Sequence, residues 1–252
     1  MTENNEQVQL PMFYSTPMCV DSGRHLNAGL LPATDCEFAA HTNSISINAH
    51  EFVEAAKFYP IVFTDGELPM PAIILGLETD NYFVDTKNQW MIEHYVPGYV
   101  RNYPFILLHI ADKKEFVLCV DEGAKQFCAK PKKGMVPLYG TDGKPSKMAQ
   151  AAFVNAMEYH NQFLFTRQFA KAIKDADLLV SNVSSAKLSS GRVINLQGFW
   201  MIDEKKFNAL SDEAILDFHK NGWLPLIHFT LMSASNWRRI ADLASLKEEP
   251  KQ

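Results

Sequence analysis

An α+β fold, with a mainly antiparallel sheet in the N-terminal half and helices mostly in the C-terminal half, is what this sequence predicts. Three observations carry that reading. Between residues 60 and 120, short branched or aromatic runs alternate with turn residues, and intervals that short suit antiparallel pairing, because parallel strands need long crossovers. Near residue 145 the apolar spacing changes to a helical period. The resulting order, β-rich and then helix, strand and further helices, segregates the two kinds of element.

Residues 1–43 carry Pro11, Pro17, Gly23, Gly29 and Pro32 without sustained periodicity, and they read as an extended N-terminal arm. The main domain is expected over 44–246, followed by a flexible charged tail at 247–252. Ser44-Ile-Ser-Ile47 alternates as a strand does. Asn48 with Glu51 three residues later is a capping-box pattern, predicting a short helix from about His50 to Lys57 that ends before Pro60. Strands are expected at Pro60–Thr64, Ala72–Leu77, Tyr82–Val84, Phe105–His109 and Phe116–Val120. Met148 to Asp175 has apolar residues at helical spacing, as one long helix or two joined pieces, and strand character returns over Ser185–Met201. Ser211 has N-cap chemistry, with Asp212 and Glu213 in the first turn and Gly222 as a stop. A final helix is expected over about Trp223–Leu246, its Trp223, Phe229, Met232 and Trp237 read as core residues.

The length of 252 residues allows one large domain or two small packed ones. A net charge of −5 argues against nucleic acid as a partner, because phosphate binding needs a concentrated cationic surface. Lys130-Pro-Lys132-Lys133 and Arg238-Arg239 are too small for that. The polar N-terminus lacks the basic and apolar regions of an export signal, and no apolar run approaches the roughly 20 residues of a membrane span. A soluble, cytoplasmic protein is the expectation. Cys19, Cys36, Cys119 and Cys128 contain no CxxC pair, so they are expected as reduced, small buried hydrophobes rather than zinc ligands.

Catalytic patterns are scarce. The eight histidines form no HxD, HxE or HExxH, which gives no expectation of a metal, and nothing implies a cofactor. Ser184-Ser-Ala-Lys187 satisfies SxxK, in which a lysine activates a serine, but no SDN or KTG element accompanies it, and a serine-rich loop is preferred. GxSxG, GxGxxG and the P-loop are absent, and Gly140–Ser146 has neither the length nor the terminal Lys-Ser/Thr of a phosphate cradle. No catalytic residue is singled out.

Lys57-Phe-Tyr-Pro-Ile-Val-Phe-Thr64, Asn81-Tyr-Phe-Val-Asp85, Trp90, Tyr95-Val-Pro-Gly-Tyr-Val-Arg-Asn-Tyr-Pro-Phe105, Leu196-Gln-Gly-Phe199 and Asp203-Glu204-Lys205 together resemble the SapC family. The most specific is the segment from Tyr95 to Phe105, similar to a Tyr-hydrophobic-Pro-x-Tyr-hydrophobic-Arg-x-Tyr-Pro-Phe signature. The resemblance spans about residues 44–246 and departs at Gly98, where Ala is more usual. It implies a bacterial protein associated with surface-array genes, and it implies no reaction. The transporter permease of the same name is a different protein, since this chain carries no membrane span.

The Tyr95–Phe105 segment is the candidate ligand-binding region, with Arg101, Tyr95, Tyr99, Tyr103 and Trp90 as its residues. Pro97 and Pro104 restrict its backbone, its aromatics offer stacking faces with polar tips, and the planar fork of Arg101 suits a carboxylate or phosphate. The alternative is structural: Arg101 pairs with Asp85 or Asp121 and the aromatics fill the core. The expected function is a non-catalytic binding or accessory protein recognising a peptide, a partner protein or a small anionic ligand. An enzyme with a dispersed site, acting in peptide or surface-polymer modification, and a surface-layer structural protein are the alternatives.

Overall fold

Strands β1 (Pro17–Cys19) and β2 (Gly29–Leu30) flank the four-residue helix α1 (Ser22–His25). After β3 (Ser44–Ser46), a 3-10 turn at Ala49–Glu51 runs into helix α2 (Phe52–Ala55), then strands β4 (Ile61–Thr64) and β5 (Pro71–Ile74). Helix α3 (Gly98–Asn102) precedes β6 (Phe105–Ile110), β7 (Glu115–Asp121), β8 (Phe127–Cys128) and β9 (Val136–Pro137). The 29-residue helix α4 (Lys147–Asp175) leads to β10 (Leu179–Lys187) and β11 (Val193–Ile202). Helices α5 (Glu204–Asn208), α6 (Asp212–Lys220), α7 (Leu224–Ser233) and α8 (Asn236–Glu248) follow. This computed structural model describes residues 10–33, 35–110, 112, 114–188 and 190–248, with the side chains of 182–187 and 248 outside the description. The Ser184…Lys187 pair therefore lies outside the described side chains, as do residues 1–9 of the arm and 249–252 of the tail.

With 37% helix and 22% strand, antiparallel sheets and helices mostly in the C-terminal half, the fold is α+β. The chain forms two compact units, Met1–Thr34 with Asn102–Glu158, and Asp35–Arg101 with Tyr159–Gln252.

The first unit holds the sheets β1-β7-β6 and β8-β2-β9. Its core gathers Leu30, Phe105, Leu118, Val120 and Leu138 against Ala149 and Ala156 of α4. The residues before β1 are tied to β7 through one buried carboxylate. Asp121 accepts from Ser15 N at 3.1 Å, Thr16 N at 2.6 Å, Gly123 N at 3.2 Å and Tyr103 Oη at 3.1 Å. A wholly buried carboxylate needs such a set of donors, since an unpaired one carries a large desolvation cost. On the surface of the same unit, Arg24 pairs with Glu122, which also faces His25 Nε2 at 3.1 Å.

The second unit is built on the sheet β10-β11-β4-β5-β3. Phe52, Tyr59, Phe63, Phe83 and Phe169 are the largest side chains of its core, and each is shut off from solvent. Phe52 meets Phe169 edge-on at 6.0 Å and Tyr59 meets Phe83 at 4.7 Å, both arrangements that aromatic quadrupoles favour.

Three elements differ from expectation. The buried Tyr82–Val84 run forms no strand. Asn81 Oδ1 accepts from Phe83 N, Tyr82 N donates to Leu75 O, Phe83 O accepts from Met91 N, and Val84 forms an isolated bridge with Trp90. The helix expected at His50–Lys57 is shorter, a 3-10 turn followed by α2. The final helix is two. Ser235 Oγ donates to Met232 O and Ser233 Oγ to Thr230 O, local bonds that compete with the helix ladder. Ser233 Oγ also accepts from Ile61 N, and Asn236 Nδ2 donates to Ala56 O and Tyr59 O, so the break docks the helices onto the residues around Pro60.

Candidate functional site

The capping box forms as the spacing predicts: Glu51 Oε1 accepts from Asn48 N at 2.8 Å. Its other oxygen turns to the Tyr95–Arg101 segment. Glu51 Oε2 accepts from Gly98 N at 2.6 Å and from Tyr95 Oη at 3.0 Å. Tyr95 Oη in turn accepts from Arg101 Nη2 at 3.0 Å, and the guanidinium carbon lies 5.6 Å from the Tyr95 ring centroid. Carboxylate, phenol and guanidinium thus form one chain, in which the polarised phenol presents its oxygen to the cation.

Gly98 makes this approach possible. A Cβ there would stand 3.1 Å from Tyr159 Cε2 and 3.3 Å from Glu51 Oε2. The absence of a side chain at Gly98 therefore leaves room for its backbone N–H beside the carboxylate.

Burial pushes the Tyr95 phenol well above its ordinary range, with the neighbouring Glu51 acting in the same direction. Burial alone pushes Tyr99 up to about 12. Its ring lies 6.5 Å from that of Tyr159, whose own phenol is raised by burial. Both tyrosines stay protonated at neutral pH and serve as hydrogen-bonding and packing groups.

The other two expected residues occupy different settings. Trp90 is buried, and its Nε1 donates to Tyr59 Oη at 3.1 Å, while Tyr59 Oη donates to Tyr95 O at 2.5 Å. Trp90 thereby supports the segment from beneath. Tyr103 belongs to the first unit, where it donates to Asp121.

The ion pair considered between Arg101 and Asp85 does not form. Asp85 accepts from Lys87 N and Gln89 N at 2.8 Å each, closing its own turn, and Asp121 is occupied by donors of its own unit. Arg101 is exposed, and it forms no ion pair with the described residues of its unit. One of its five N–H donors is committed to Tyr95.

A separate cleft of about 950 Å³ lies in the second unit, with His41, Glu78, Asp80, Asp85, Arg192 and Lys247 among its lining residues. His41 Nδ1 meets Asp80 at 3.0 Å, and Arg192 pairs with Glu78. The Lys247 ammonium sits 5.0 Å above the Tyr82 ring. Sequence spacing does not reveal this convergence, since His41 and Asp80 are 39 residues apart. Among the described residues no group of three or more His, Cys, Asp or Glu is placed to hold a metal, and no helix is long and apolar enough to cross a membrane. Of the aromatic and methionine residues noted in the final helical region, Met232 alone is exposed, and Trp237 stacks on Phe199 at 5.6 Å.

The SapC family model matches residues 20–240, reaching upstream of the segment on which the sequence motifs lie. The chain belongs to the SapC family. No curated protein and no solved structure matches it. SapC membership places the Tyr95–Arg101 network within the matched region and assigns it no reaction.

Proposed function

We propose that this SapC protein is a non-catalytic, cytoplasmic binding or accessory protein that recognises a peptide, a partner protein or a small ligand through an anionic group, with Arg101 as the anchor. The observation that carries the reading is an exposed guanidinium that is oriented by Tyr95 but has no ion pair among the described residues of its unit. Tyr95 holds it through one hydrogen bond and its ring face, leaving the fork open for a carboxylate or phosphate. Tyr95 and Tyr99 supply the adjoining contact faces, while Trp90 acts as a support through Tyr59.

The test is binding by Arg101→Lys and Arg101→Ala proteins whose fold is checked by circular dichroism. Loss in both supports a bidentate anchor. Unchanged binding removes Arg101 from the site.

A second reading, an enzyme, draws on the cleft around His41 and Asp80. Their side chains are 84% and 51% exposed, so solvent screens the pair and few contacts fix its geometry. Catalysis asks for preorganised groups in a water-poor site, and on that ground binding is the stronger reading.

A further inference from the structure

Strands β1 and β7 bring two thiols face to face. Their antiparallel register sets Cys19 opposite Cys119, and Cys119 Sγ lies 3.5 Å from Cys19 Sγ. The ladder shows which kind of pair this is. Val20 N donates to Leu118 O at 2.8 Å, so the bonded pair is Val20 with Leu118 and the cysteines occupy the adjacent non-hydrogen-bonded position. At such a position the Cα atoms are about 4.5 Å apart and the side chains lean towards each other, within the Cα range that a disulfide spans. Both cysteines are free thiols.

We propose that Cys19 and Cys119 are a redox modification site that closes to a cross-strand disulfide with a hydroperoxide as oxidant. The two thiols have different roles. Cys119 is buried, while Cys19 is half-buried and so the more accessible sulfur. Burial, with its bond to Cys19, pushes the Cys119 thiol up to about 12, keeping it protonated and donating to the Cys19 sulfur. The Cys19 sulfur gives up its proton and attacks a peroxide oxygen. The O–O bond breaks, and Cys19 becomes a sulfenic acid while hydroxide leaves. The Cys119 sulfur then attacks the sulfenic sulfur. The S–O bond breaks, the S–S bond forms, and the departing hydroxide leaves as water with the Cys119 proton. Two thiols and one hydrogen peroxide give one disulfide and two waters, each sulfur losing one electron and the peroxide gaining two.

Closure ties β1 covalently to β7 across a long loop, which disfavours the unfolded chain.

The full chain is exposed to graded hydrogen peroxide, then denatured, maleimide-blocked and digested. The expected product is one linked peptide pair carrying Cys19 and Cys119, lighter by two hydrogen atoms than the two reduced peptides together. Dithiothreitol reverses it, and the oxidised protein melts roughly 5–15 °C higher than the reduced one. Cys19→Ser abolishes the link. The Cys36→Ser, Cys128→Ser double variant leaves β1 and β7 unaltered and keeps it, so the test does not depend on how well a variant of those two strands folds. Oxidation of Cys19 onward to a sulfinic acid, a link to Cys36 or Cys128, or four unchanged thiols at a dose that oxidises exposed Met232 would each overturn the proposal.

Discussion

Glu51 and Tyr95, 44 residues apart in sequence, meet at 3.0 Å, the Tyr95 hydroxyl donating to a carboxylate that already caps its own short helix. Each carboxylate oxygen is committed to a different segment, so the side chain serves the helix start and the Tyr95–Arg101 segment together. The Glu51→Ala protein should lose about 2–4 kcal/mol, because the N–H groups of Asn48 and Gly98 and the Tyr95 phenol all lose their acceptor. Glu51→Gln should lose less, since its amide oxygen can still accept. Urea unfolding of the two variants measures both, and equal stability of Glu51→Ala and the parent would contradict the assignment.

A second buried carboxylate stabilises the first unit in the same way. Asp121→Ala strands three backbone N–H donors and the Tyr103 hydroxyl, and should cost about 2–4 kcal/mol. Limited proteolysis of this variant should cut near Ser15 and Thr16 sooner than in the parent, because those residues lose their tether to β7.

The tyrosines predict the alkaline limb of the stability curve. Burial raises the phenols of Tyr59, Tyr95, Tyr99 and Tyr159 above the ordinary value of 10. A raised folded value means the protonated form is favoured in the native state, so this contribution is complete below pH 10. It falls as pH rises beyond that, when the unfolded chain ionises first. Near-ultraviolet titration should show these phenols silent near pH 10, ionising only as the protein unfolds. Simultaneous ionisation of all eight tyrosines in folded protein would count against the burial described.

The acid limb has the opposite sign. Hydrogen bonding to Arg24 lowers the Glu122 carboxyl from 4.5, so its pairing supports the fold above that pH. The contribution declines as pH falls through the lowered folded value. Thermal melts of Glu122→Gln should be less sensitive to acid over that window, with a small effect because Arg24 is half exposed.

Strands β4 to β7 were legible because branched and aromatic residues sit between clear turn residues, and the capping box because its two partners are three residues apart. Tyr82–Val84 was misread because an apolar run reports burial, whereas its backbone hydrogen bonds go to Asn81, Leu75 and Met91 rather than to one neighbouring strand. The start of β10 at Leu179 was missed because serine and asparagine dilute its strand signal. At the candidate site, the sequence marked Arg101 and Tyr95 by their motif. It could not show that Glu51 reaches them, nor that Tyr103 turns to Asp121, because spacing carries no record of contacts between distant segments.

Differential capture on immobilised protein tests the central claim most directly. Wild-type, Arg101→Lys and Arg101→Ala proteins of equal Tm are exposed to one extract, and bound proteins and small molecules are identified by mass spectrometry. The Arg101 account predicts a species bearing a carboxylate or phosphate that wild type retains and both variants lose by about tenfold or more, as expected when a charge-assisted bidentate pair is removed. Retention of the same species by all three proteins would contradict it, as would an Arg101→Ala protein that fails to fold.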